Sequence, residues 1–135
     1  MIVLDANAAF AISMGLPEGN ALSTLLLEEE EIIAPRLLCA ELTHTLAKYV
    51  RGNYMNAEEA AVCGRDALLL IDRFVDDSSL WLEAMNESIR LDHSSYDMFY
   101  YILALRENAT LFTLDRRLQD LCAKTGVNCI ETAEF

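Results

Sequence analysis

The sequence predicts an α/β domain with a mainly parallel sheet covered by helices on both faces. Three observations predict it. The candidate strands "MIVLD", "EIIAP", "ATLFT" and "VNCIE" are short apolar runs, not apolar–polar alternations, as expected for strands buried on both sides. Helical patterns separate them along the chain, the order of an α/β fold. The chain has 135 residues, 53% of them hydrophobic and few of them Pro or Gly, so it fits a single domain with a sizeable core.

Taken in order, "MIVLD" is a strand bounded by a polar turn. "AAFAISMGL" reads as a short helix closed by Gly15, and "EGNALSTLLLEEE" as a second with Pro17 near its start. "EIIAP" is a strand ended by Pro35. "PRLLCAELTHTLAKYVRG" is an amphipathic helix: Leu38, Leu42, Thr45, Leu46 and Tyr49 share a stripe and Gly52 lies just past the end. "NAEEAAVCGRDALLLIDRFV" reads as a helix opened by a capping box of Asn56 and Glu59. A further helix covers about Ser79–Leu91. Ser94 or Ser95 caps the next, which runs to about Glu107 with Asn108 at C′. "ATLFT" is a strand, "LDRRLQDLCAKTG" a helix between Asp115 as N-cap and Gly126 as C′, and "VNCIE" a last strand.

Composition excludes several classes. No apolar run reaches the roughly 18–20 residues that span a bilayer, and "MIVLDANAAF" lacks the basic start of a secretory leader. Cys39, Cys63, Cys122 and Cys129 form no CxxC pair; Cys39 and Cys63 read as small core residues, and the default is a reduced cytoplasmic protein. Ten basic residues against twenty-two acids give a net charge of −12. That balance opposes nucleic-acid binding unless cations or a local basic patch invert the field. "EEEE" at 28–31 reads as a solvated helix end. No phosphate-cradling glycine loop or nucleophile elbow is present. "ELTH" places Glu41 and His44 at the spacing of a di-iron helix, but the second copy that such a site needs is missing. His93 reads as a lone surface residue, and Trp81 as core in preference to a partner-facing patch.

The acids are more informative. Asp5 ends the first strand, and Asp115 follows the strand "ATLFT". Glu41 lies on the helix after the second strand, at the edge of its apolar stripe, and Asp97 opens a helix after a loop. In a parallel sheet, ligands bind beyond the carboxyl ends of the strands. Singly, these acids read as helix caps or boundary residues. Crowded on one sheet edge they would repel, and such a cluster is tolerable only if partly protonated or holding a cation. Hard oxygen donors suit Mg²⁺ or Mn²⁺.

Four pieces in order, "MIVLDAN", "PRLLCAEL", "YDMFYYILALRENATLFTLDRRL" and "GVNCI", resemble the PIN-domain nucleases, most of all the VapC-type toxins of toxin–antitoxin pairs. The resemblance spans nearly the whole chain. It places the family's four acids on Asp5, Glu41, Asp97 and Asp115, the polar residue after the first acid on Asn7, and the hydroxyl residue before the last on Thr113. It implies a three-layer α/β/α sandwich and a ribonuclease in which these carboxylates hold one or two Mg²⁺ or Mn²⁺ ions. It also implies a small antitoxin as partner and a homodimer. Arg116 and Arg117 are the basic residues nearest the expected site, candidates for RNA contact or simply a solvated helical turn. Two departures stand out. Met98 and Phe99 follow Asp97 where the family tends to smaller residues, and Arg117 stands where some relatives carry a further acid. The alternative is a PIN-like module without catalysis that docks a protein partner; divalent-metal binding separates the two.

Overall fold

The computed structural model describes residues 1–26 and 29–130. Its strands are β1 (Ile2–Leu4), β2 (Ile32–Pro35), β3 (Arg73–Val75) and β4 (Thr110–Phe112). They form a parallel sheet in the order β3-β2-β1-β4. Every residue of β1 and β2 is buried, which accounts for their unbroken apolar sequence. The helices are α1 (Ala6–Met14), α2 (Pro17–Ser23), α3 (Leu37–Arg51), α4 (Ala57–Leu69), α5 (Trp81–Leu91), α6 (Ser95–Glu107) and α7 (Arg116–Thr125). The result is the three-layer α/β/α architecture. Helix α6 packs on β1, β2 and β4 and carries α5 on its other side, while α1 packs against α2, α3 and α4. The consecutive buried run Tyr100–Ala104 makes α6 apolar all round, as befits a helix between a sheet and another helix.

Local chemistry sets many boundaries as the sequence predicts. Asn56 and Glu59 form a reciprocal capping box on α4. Gly15 and Gly126 end α1 and α7 in the left-handed region, and Asn108 does so for α6. Gly19 has a different reason to be glycine. A Cβ there would lie 2.1 Å from the backbone carbonyl of Ala11, so α2 can cross α1 only without a side chain.

Other expectations are corrected. The helix read through Val75 stops at Leu69, and Arg73–Val75 instead forms β3 on the edge of β2. The Asp72 carboxylate accepts from Ile32 N–H at 2.8 Å, leading the strand into register. The second helix stops at Ser23; of the run 28–31, Glu28 lies outside the described residues, and Glu31 pairs with Arg73 at 2.7 Å. The expected last strand shrinks to one bridge between Leu111 and Cys129, and its Glu131 lies outside the described residues. Trp81 is 53% exposed because its neighbour Leu80 takes the core position. Cys63 is buried but Cys39 is exposed. None of the described helices is long and apolar enough to cross a membrane.

Candidate metal centre

Strand register assembles the site. Leu4 of β1 lies opposite Phe112 of β4, and Asp5 N–H donates to the Phe112 carbonyl at 3.1 Å. Asp5 and Thr113 therefore leave the sheet side by side. The chain moves outward from β1 to β2 and β3, then returns to the other side of β1 as β4. The switch point of the sheet thus lies between β1 and β4, where an open α/β sheet leaves a crevice. Glu41 comes from α3, which begins directly after β2, and Asp97 from the first turn of α6.

A cavity of about 420 Å³ opens there, lined among others by Asp5, Asn7, Glu41, Tyr96, Asp97 and Tyr100. Asp115 is not part of its lining, but its carboxyl interacts directly with that of Asp97. Asn7 is exposed at the rim and Thr113 is fully buried beneath. Arg116 and Arg117 are exposed on the first turn of α7, next to Asp115. The bulky Met98 points away from the cavity into the core, fully buried.

Each acid is held by a protein donor. Asp5 caps α1 through Ala8 N–H at 2.9 Å and hydrogen-bonds with Thr113. Glu41 accepts from the Tyr100 hydroxyl at 2.7 Å. Asp97 lies 2.8 Å from His93 Nε2. Asp115 caps α7 through Arg117 N–H at 2.9 Å, and its own N–H donates to Thr113 Oγ1 at 3.1 Å. Asp97 is thus not the cap of α6; it sits inside the first turn.

The electrostatics are those of a crowded anionic site. Burial pushes the Asp5 carboxyl from 3.8 up to about 7, and the charges of Asp97 and Glu41 push in the same direction against the bonds from Thr113 and Ala8. Burial also raises Asp97, opposed by its bond to His93 and reinforced by Asp115. Glu41 is raised by burial and by Asp97 and Asp77, opposed by Tyr100. Buried beside Glu41, the Tyr100 phenol is pushed far up and stays a donor.

Among the described residues, no group of three or more His, Cys, Asp and Glu side chains stands ready-made to hold a metal ion. Each carboxylate is instead engaged by its own donor, Asp5 by Ala8 N–H, Glu41 by Tyr100, Asp97 by His93 and Asp115 by Arg117 N–H. The chemistry of the set still fits a hard divalent cation. The donors are carboxylate oxygens, and Asp5 is 6% exposed yet has no cationic partner among the described residues to offset its charge.

Three residues of this site escape sequence reasoning. His93, read as a surface residue, has a side chain only 7% exposed and contacts Asp97. Tyr100 hides inside an apolar run; its spacing of three from Asp97 on α6, which puts both on one helix face, is the available signal. Asp77 follows β3, a strand the sequence does not reveal, and its carboxylate caps α3 through Leu37 N–H at 3.1 Å.

Comparison with known proteins agrees with this geometry. The family model described as PIN domain matches residues 2–124. The crystal structure of PAE2754 from Pyrobaculum aerophilum superposes with a TM-score of 0.74 at 21% identity, covering 95% of this chain and 81% of that one. A chain in the crystal structure of VapBC2 from Rickettsia felis, bound to a DNA fragment from their promoter, gives a TM-score of 0.65 at 19% identity, covering 98% of this chain and 100% of that one. No curated protein sequence matches. With the family model spanning both strands that flank the crevice and all four acids around it, the chain belongs to the PIN domain family.

Proposed function

We propose that the protein is a Mg²⁺- or Mn²⁺-dependent endoribonuclease hydrolysing RNA phosphodiester bonds, and the toxin of a toxin–antitoxin pair. The observation that carries this is a crevice lined by Asp5, Glu41 and Asp97, with Asp115 against Asp97 and with Asp5 buried. The four carboxylates are the metal-holding and catalytic residues. A bound divalent ion lowers the pKa of a water and offsets charge on the phosphate and leaving oxygen. Thr113 joins the first and last acids, Tyr100 orients Glu41, and Asn7 stands at the rim facing substrate. Arg116 and Arg117 supply positive charge beside Asp115 for the RNA backbone.

An antitoxin has a place to bind. A second groove, lined by Phe10, Leu16, Tyr49, Tyr54 and Leu114, shares Asn7, His44 and Thr45 with the acidic cavity. An apolar segment lying there is placed to send an Arg or Lys toward the carboxylates. The apolar residues Trp81, Met85 and Ile89 share an exposed stripe on α5, a surface suited to a homodimer. A reducing cytoplasm is the compartment that this reading implies.

Purified protein should cleave RNA with Mg²⁺ or Mn²⁺ and stop when EDTA is added. Undiminished cleavage in EDTA contradicts the metal mechanism. The second reading is an inactive protein-binding module, favoured by the apolar groove and the net charge of −12. It predicts partner binding with neither cleavage nor divalent-metal affinity.

A further inference from the structure

Helix α5 ends at Leu91, and the chain turns through Asp92 in the left-handed region, with φ 50°. The next residue, His93, is fixed on both sides of its backbone. Its N–H donates to the Ser88 carbonyl at 3.2 Å, and its own carbonyl accepts from Ser88 Oγ at 2.6 Å. This clamp turns the imidazole inward, where its side chain is 7% exposed. Nε2 then meets Asp97 Oδ2 at 2.8 Å. His93 does not line the acidic cavity, whereas Asp97 does. The imidazole therefore stands behind the carboxylate, on the side away from the space a cation would occupy. An ionised carboxylate only accepts, so Nε2 carries the hydrogen and is not itself a metal donor.

From this geometry we infer that His93 is a positioning residue: its Nε2–H holds Asp97 in the orientation that presents the carboxylate to a divalent cation. This deepens the metal-site reading above and rests on it. Asp97 otherwise has the repelling Asp115 carboxyl as its near neighbour, and a carboxylate free to swing would leave the cavity. Hydrogen-bond partners behind metal ligands typically account for about 10–100-fold in metal affinity. A role confined to stapling the α5–α6 turn would lie in the backbone bonds to Ser88, which a side-chain substitution leaves in place.

The test is the Mn²⁺ dissociation constant, measured by calorimetry on the full chain, for wild type, His93→Met, His93→Gln and Asp97→Asn. Met fills the space without a donor, and Gln keeps a side-chain N–H. Expected is a weakening of about 10–100-fold in His93→Met, recovered to within a few-fold in His93→Gln, with melting temperatures of the two variants alike. Wild-type affinity in His93→Met together with loss in Asp97→Asn would overturn the role of His93 while leaving the metal site standing. Equal weakening in Met and Gln variants would also overturn it, since the donor would then be irrelevant. Absence of Mn²⁺ binding to the wild type would remove the metal site and this role together.

Discussion

At the scale of single residues, Asp5 is both a structural cap and a burdened charge. Its folded-state pKa of about 7 lies above the ordinary 3.8. The native state therefore binds more protons than the unfolded chain between these values, and stability falls as pH rises through that window. At about 1.4 kcal/mol per pH unit, the shift from 3.8 to about 7 implies a penalty on the order of 4 kcal/mol above neutrality. Glu41 and Asp97, also raised, act with the same sign. The metal-free protein should thus melt highest near pH 4–5 and lose stability toward pH 8. Asn caps helices about as well as Asp, so Asp5→Asn keeps the bond to Ala8 N–H and loses the charge. Thermal melts in EDTA should show Asp5→Asn clearly more stable than wild type at pH 8 and nearly equal to it near pH 4. Parallel pH profiles for the two proteins would show that the Asp5 charge is not the burden described.

Among the elements, the crossing of α1 and α2 depends on one missing side chain. Gly19→Ala drives a methyl into the Ala11 carbonyl, backbone that cannot swing aside, and overpacking of this kind costs roughly 1–3 kcal/mol. Urea unfolding should show that loss; an unchanged midpoint would mean that the helices separate freely. Elements with strong local signals were legible in the sequence. These are the capped helix α4, the glycine-ended α1 and α7, and the unbroken apolar β1 and β2. The strand β3 was not, because "DRFV" continues a helical pattern and becomes a strand only where the edge of β2 offers it partners. Trp81 failed for a similar reason: residue type favours burial, but the helix phase gives the interior to Leu80 and Ala84. The places of the four acids, at strand ends and helix starts, were legible in the sequence. Their partners were not, since His93 and Tyr100 acquire meaning only when the α5–α6 turn and the α3–α6 contact bring them to Asp97 and Glu41.

The whole molecule carries its net charge of −12 partly as structure. Asp72 and Asp77 bind backbone N–H groups, and Glu31, Asp76, Glu83 and Glu87 pair with Arg73, Arg36, Arg106 and Arg90. Those arginines are engaged away from the cavity, and the RNA contacts proposed above fall to Arg116 and Arg117 on the first turn of α7. Two phosphate contacts predict a shallow salt dependence, with a slope of log K against log salt of about −1.4 for single strands. RNA titrations at fixed Mn²⁺ should give such a slope, flattened further in the Arg116→Ala, Arg117→Ala double variant. A slope several times steeper, unchanged by those substitutions, would place the RNA on another face.

The central claim is that the acidic crevice holds the cation that cleaves RNA, and Asp97 separates it from a purely structural account. Asn at this position keeps the size of the side chain and relieves repulsion with Asp115, so the fold should survive at wild-type stability or above. It loses the charge that holds a hard cation. The decisive measurement is the RNA cleavage rate of Asp97→Asn against wild type at saturating Mn²⁺. Loss of a direct ligand should cost at least the roughly 10–100-fold typical of an outer partner, so the predicted result is a folded variant with most cleavage gone. A folded Asp97→Asn that cleaves at the wild-type rate would contradict the account.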